Sequence, residues 1–306
     1  MAFEYEPIKF DSTNRISLPE HPITSKRMLN ELENIVASLF ERIILKINPD
    51  IEVYESIYQS PIKSRWPENN VGRVRHYRAH GDTAVIVLPQ RSGGYNFAQL
   101  VASYLATNGI SAYEIETPLH GSRLPSGIKS ISELDMELDD SKLMFNQAVT
   151  ETRGLIDLMQ EQKIGVCGIS LGAVYASILY GIDGRVSSAC LVMAGGNFAD
   201  MLFESGDPFI SALGNQVIAK GLNGSELRKV LGPIEPCNYT NPDKSDNLFM
   251  INASSDKVVP DKNGRALAEA WQNPRQYLVN SGHLSIMLKI PELLPRLLEH
   301  YKNTLK

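Results

Sequence analysis

The residues with the clearest chemistry begin at Ser170, the centre of Gly168-Ile169-Ser170-Leu171-Gly172. Residues 163–167 before it suit a buried strand, and the small residues after Gly172 suit a closely packed helix. A serine on such a tight connection takes unusual backbone angles, so its neighbours two positions away must be small where chain approaches chain. That is the arrangement of a nucleophile elbow. Three fixed residues recur by chance in about one chain in ten of this length, so the motif needs support from elsewhere. A serine hydroxyl is a weak nucleophile near neutral pH; it needs a base to take its proton and a third group to orient that base. Of six histidines, His120 and His283 lie just beyond expected strands, whereas His21, His76, His80 and His300 read as surface residues. Asp256, in Ser254-Ser255-Asp256-Lys257-Val258-Val259-Pro260, is the foremost acid, with a turn or cap aspartate as its plainer reading. Asp200 and Asp207 are weaker alternatives.

The elements that must carry these groups alternate between strand and helix. Thr83–Leu88 is a continuous apolar run, as expected of a strand buried on both faces. A turn-rich loop over 89–95 leads to a helix with Phe97, Leu100, Val101, Tyr104 and Leu105 on one face, and 111–117 is the next strand. The loop Pro118-Leu119-His120-Gly121-Ser122-Arg123-Leu124-Pro125 follows, rich in special residues. A long helix is expected from near Asp139 or Asp140 to near Gln162, then the strand entering Ser170, then a strand over 186–194. Residues 197–246 break the rhythm, with helix starts expected at Asp207-Pro208 and Ser225. The rhythm resumes with a strand over 248–251, a helix from about Asp261 to Trp271 and a strand over 275–279. A last amphipathic stretch is interrupted or restarted at Pro291 and Pro295. This implies an α/β domain, its mostly parallel sheet flanked by helices. Strands over 51–62 and 72–80 have no helix between them and would pair antiparallel at one edge. Residues 1–50 form an N-terminal extension, with Met28, Leu32, Ile35, Leu39 and Ile43 on one helical face. That helix is expected to pack on the main domain; a homodimer contact or a lid piece is the alternative.

The chain of 306 residues is 43% apolar and 21% charged, with a formal charge of −5, which is ordinary globular composition. Its mild acidity and lack of a Lys/Arg cluster argue against nucleic acid as a partner. Cys167, Cys190 and Cys237 are too few and too scattered for a disulfide framework or a zinc site. No stretch reads as a signal peptide or a membrane span, so a cytoplasmic protein is the expectation.

The order Ser170…Asp256…His283, each beyond a successive late strand, resembles that of the α/β-hydrolases, over roughly residues 70–302. The S-x-D-x-x-V-P and S-G-H segments are similar to those of the esterase, lipase and dienelactone-hydrolase-like branches. The resemblance implies a serine hydrolase acting on a carboxylic ester through a Ser170–His283–Asp256 triad, without cofactor or metal. A peptidase or acyltransferase with the same triad, or a non-catalytic binding protein of this fold, are the alternatives. It also implies an oxyanion hole from the Leu171 N–H and a second donor in the loop after the first buried parallel strand. A His-Gly pair commonly opens that loop; here Gln90-Arg91-Ser92-Gly93-Gly94 stands instead, leaving Arg91 or Ser92 as the donor. Arg91 could also meet a substrate carboxylate, a solvated arginine being the plainer reading. His120 falls where related hydrolases carry a similar P-x-H/Y-G-x-S/R segment, which implies a loop-shaping or pocket-lining role. The insertion at 197–246 falls where the family places a cap, with Phe198, Met201 and Phe203 as candidate pocket residues.

Overall fold

The computed structural model describes residues 21–23, 51–91 and 96–306. The expected N-terminal helix around Met28–Ile43 and the oxyanion candidate Ser92 therefore lie outside the described residues. Nine described strands form one sheet: β1 (His21–Ile23), β2 (Val53–Gln59), β3 (Val71–Tyr77), β4 (Thr83–Leu88), β5 (Ser111–Ile115), β6 (Lys163–Ile169), β7 (Val186–Val192), β8 (Leu248–Ala253) and β9 (Arg275–Val279). Their spatial order is β1-β2-β3-β5-β4-β6-β7-β8-β9. The pairs from β1 to β5 along this order are antiparallel, and from β5 to β9 all are parallel. The antiparallel edge thus sits where the two helix-free early strands placed it. His21–Ile23 adds an edge strand in a stretch without sequence periodicity.

Side chains alternate across the pleat, so β4 sends Ile86 and Leu88 to one core and Val85 and Val87 to the other. The second core is closed by α1 (Asn96–Thr107), through Phe97, Leu100 and Leu105, and by the C-terminal helix, through Leu294 and Tyr301. The first is closed by α2 (Leu138–Ile156) and α3 (Leu171–Ile182). Helix α2 begins where the acidic pair suggested, with a capping box between Glu137 and Asp140, but ends at Ile156, short of Gln162. Residues 197–247 fold as α4 (Phe198–Glu204), α5 (Pro208–Ala219), α6 (Gly224–Leu231) and three short 3-10 turns. Asp207 caps α5 by accepting the N–H groups of Phe209 and Ile210, and Pro208 fills the first helical position. Then come α7 (Asp261–Ala270) and α8 (Ile290–Thr304), which is continuous through Pro295 rather than restarted there. Among the described residues no helix is long and apolar enough to cross a membrane.

Two histidines correct the surface reading. His300 is 3% exposed: α8 presses it against β7, where its Nε2 meets Ser188 Oγ at 3.1 Å and the Ala189 carbonyl at 3.0 Å. His76 is half-buried and stacks on Tyr113 with ring centroids 4.2 Å apart.

Burial pushes the His300 ring down to about 4, aided by Arg275 and opposed by the Ala189 carbonyl. His120 is likewise buried and brought down to about 4. Glu114, buried beside Tyr77 and Arg75, is pushed up to about 7 by desolvation. Below an unfolded pKa of about 6.5 the unfolded chain protonates both rings while the fold does not. Their contribution is thus complete above that value and is lost as pH falls toward about 4. Glu114 acts oppositely, taking its proton in the fold first, so one net proton separates the states. Stability is expected to fall by about 1.4 kcal/mol per pH unit between roughly pH 6.5 and 4.5. Urea midpoints across this range test it, and His300→Gln should flatten the slope; a flat wild-type profile would refute the account.

Candidate active site

The sheet order itself makes a crevice. From β4 the chain turns to β5 on one side, whereas β6 lies on the other, so the connections leaving β4 and β6 diverge at the carboxyl end. Ser170 stands at that end, between β6 and α3, with φ 52° and ψ −116°. A non-glycine residue held there stores about 1–3 kcal/mol of strain, which the surroundings must over-determine. They do so by close packing. A Cβ on Gly168 would lie 2.3 Å from the Gly172 carbonyl oxygen, and one on Gly172 would lie 2.2 Å from that of Leu88. The missing side chains let the turn close and let α3 start directly beside the end of β4. Leu119, Met193 and Asn197, at the same end after β5 and β7, also have positive φ.

The structure brings Ser170, His283 and Asp256 into one hydrogen-bonded line. Ser170 Oγ lies 3.0 Å from His283 Nε2, and His283 Nδ1 lies 2.6 Å from Asp256 Oδ2. Asp256 Oδ1 accepts the N–H groups of Val258 and Val259 at 2.8 and 2.9 Å, which fixes the carboxylate plane. The acid side chain is 3% exposed and the imidazole 12%. With Nδ1–H given to Asp256, Nε2 is free to accept the serine proton, and the carboxylate can balance the imidazolium that results. The Ser170 N–H is spent on the Val192 carbonyl at 2.8 Å. The next donor, Leu171 N–H, opens α3 and has no acceptor within the helix.

The other acids go elsewhere. Asp200 pairs with Arg228 on the outside of the insertion, and Asp207 pairs with Arg91. Beyond Ser170 opens a cavity of about 510 Å³, with Ser170, His283, Arg91 and Asp207 in its wall. Phe198 and Met201 line it, together with Met144 and Phe145 of α2 and Phe209 of α5. Phe203 does not: it sits on the outer side of α4, 53% exposed. His120 does not line it either. It is buried beneath the loop, its Nδ1 2.7 Å from the Pro118 carbonyl. Desolvation, with Arg91 and Arg123 nearby, keeps the ring neutral, which suits a loop-shaping residue. The role of α2 in the cavity has no signal in sequence, since apolar residues on the inner side of a helix read as core.

Arg91 is not a solvated arginine. It is 17% exposed, ion-paired to Asp207, and its guanidinium carbon lies 4.8 Å above the Phe209 ring. Burial alone would raise the Asp207 pKa, but the Arg91 guanidinium and the N–H groups of Ile210 and Phe209 outweigh it and hold the carboxyl below its usual range. Among the described residues no three His, Cys, Asp or Glu side chains are grouped to hold a metal ion.

No family model and no curated protein matches the chain by sequence. Solved structures do match. An acetyl xylan esterase from Paenibacillus is 17% identical with a TM-score of 0.60, the match covering 94% of this chain and 97% of that one. The Pyrococcus furiosus esterase Pf2001 is 19% identical at a TM-score of 0.57, over 84% of this chain and 94% of its own. Acetyl xylan esterase 1 from Thermoanaerobacterium is 14% identical at 0.59, over 89% and 93%. At these identities the likeness is one of fold, and the fold is that of the α/β-hydrolases.

Proposed function

We propose that this chain, an α/β-hydrolase by fold, is a serine hydrolase that cleaves carboxylic esters through an acyl-enzyme on Ser170. The observation that carries the reading is the unbroken line Ser170 Oγ–His283–Asp256, with Ser170 and His283 in the wall of the cavity. Ser170 attacks the acyl carbonyl while His283 takes its proton; the same proton then goes to the departing alcohol oxygen. Water, deprotonated by His283, releases the acid and restores the serine. Asp256 holds the imidazole in the tautomer that the first step needs. The developing oxyanion is received by the N–H of Leu171 and by a second backbone donor at Arg91 or Ser92, such donors being worth about 3–4 kcal/mol each. The helices of 197–246 act as the cap, with Phe198 and Met201 facing the substrate. An ester rather than a peptide fits the mostly apolar wall, which offers few partners to a second backbone amide.

A fluorophosphonate probe tests the shared core of this reading. One label per chain is expected, on Ser170, and none on Ser170→Ala. Labelling that survives the substitution would move the nucleophile elsewhere. p-Nitrophenyl esters set against aminoacyl p-nitroanilides then separate an esterase from a peptidase.

A further inference from the structure

The turn Ser205-Gly206-Asp207, between α4 and α5, is fastened to two different loops of the site. The first is the loop after β8, which carries Asp256. The Gly206 N–H donates to the Lys257 carbonyl at 2.7 Å, and the Ser205 hydroxyl donates to the Val258 carbonyl at 2.7 Å. Val258 in turn gives its N–H to Asp256 Oδ1 at 2.8 Å. The second is the loop after β4, whose Arg91 Nη2 donates to Asp207 Oδ2. Between the two, the Asp207 N–H donates to Ser205 Oγ at 3.1 Å. Hydrogen bonds therefore run without a break from Asp256, through the turn, to Arg91.

The Asp207 carboxylate does more than cap a helix. Its Oδ1 alone accepts the Phe209 and Ile210 N–H groups, at 3.0 and 3.1 Å, a task that an asparagine would do as well. The second oxygen and the charge are surplus to the cap, and both are spent on Arg91. With its guanidinium held by Asp207 and laid against the Phe209 ring, Arg91 restrains its own backbone. That backbone belongs to the stretch read as the second oxyanion donor. Such a donor works only about 2.7–3.1 Å from the developing oxyanion. A misplacement of about 1 Å can cost about 100-fold in rate.

We propose that Asp207 is a positioning residue: acting through Arg91, it sets the loop after β4 in register with the loop that carries Asp256. The oxyanion hole and the acid end of the triad are thereby fixed by one turn of the cap. This rests on the reading of Ser170 as the nucleophile and of Arg91 or Ser92 as an oxyanion donor. The effect belongs to the transition state, because the ester oxygen takes up its negative charge only there.

The test separates transition-state from ground-state binding. Asp207→Asn keeps an oxygen for the cap but turns an amide N–H₂ group toward the guanidinium, donor against donor. On p-nitrophenyl esters kcat/KM, counted per site titrated with a fluorophosphonate, is expected to fall about 10–100-fold. Inhibition by a trifluoromethyl ketone, whose adduct with Ser170 carries an oxyanion, should weaken by a similar factor. Binding of the intact ester in a Ser170→Ala background should stay within about threefold. Arg91→Met should show the same pattern. Arg91→Met/Asp207→Asn should be no worse than either single variant, because all three break one link and the double leaves no stranded charge. The proposal is overturned if Asp207→Asn keeps kcat/KM within about threefold, if ester binding falls as far as kcat/KM does, or if the two losses add. Any of these in a protein that hydrolyses esters leaves the hydrolase reading standing. A wild type that takes no fluorophosphonate and turns over no ester removes that reading, and this one with it.

Discussion

Ser170→Ala is expected to lower kcat/KM on p-nitrophenyl esters by about 10^4–10^6, and His283→Ala by a similar factor. The double variant should be no worse than either alone, because the two act as one unit: without the serine there is nothing for the base to activate. Asp256→Asn should cost less, about 10^4, since the amide still packs in place but favours the wrong imidazole tautomer. The geometry predicts a specific control. His120→Ala should retain turnover within about an order of magnitude, because the ring lies beneath the loop, outside the cavity wall, and acts only through the loop's shape. Steady-state kinetics on the four single variants and the serine–histidine double, each checked for native folding, decide the matter. If His120→Ala is dead while His283→Ala turns over, the base has been misassigned. Additive losses in the serine–histidine double would mean that the two residues do not share a step.

The line Ser170–His283–Asp256 is legible in the sequence because each residue follows its own strand, β6, β9 and β8. A parallel sheet must bring such loops to one end, so chain order and strand context stand in for distance. Patterns of that kind name Arg91 and Asp207 singly but do not pair them. They lie on opposite sides of the crevice, 116 residues apart, and each has a plain local explanation as a loop arginine and a helix cap. Only the meeting of the loop after β4 with the start of α5 joins them. His300 fails for a related reason: on a terminal amphipathic helix its type suggests the polar stripe. The Ser188 hydroxyl that satisfies it sits on β7, invisible to local periodicity. Phe203 shows the reverse error, an aromatic residue in a cavity-forming helix that points outward.

The loop Pro118–Pro125 drew notice in the sequence for His120, yet its anchor is Arg123, which is 0% exposed. Nη1 and Nη2 grip Glu151 of α2 at 2.6 and 2.7 Å, and the fork also donates to the carbonyls of Glu116 and Asn69. Tyr58 of β2 donates to the same carboxylate at 2.8 Å. Three parts of the chain meet on one buried ion pair, so all five guanidinium N–H groups are answered. Glu151→Ala would leave the arginine charge buried and unpaired and should destabilise the fold by about 3–5 kcal/mol. In a protein of this size that lowers Tm on the order of 10 °C. Arg123→Met/Glu151→Leu removes both charges at similar volume and should recover most of the loss, although the Tyr58 hydroxyl then loses its acceptor and the carbonyls of Asn69 and Glu116 lose the guanidinium donors. Denaturant unfolding of wild type, single and double variants gives the coupling directly. If Glu151→Ala costs under about 1 kcal/mol, the pair behaves as a solvent-exposed bridge and the burial argument fails. If the double variant is no more stable than the single, the cost lies in the lost carbonyl contacts rather than in the stranded charge.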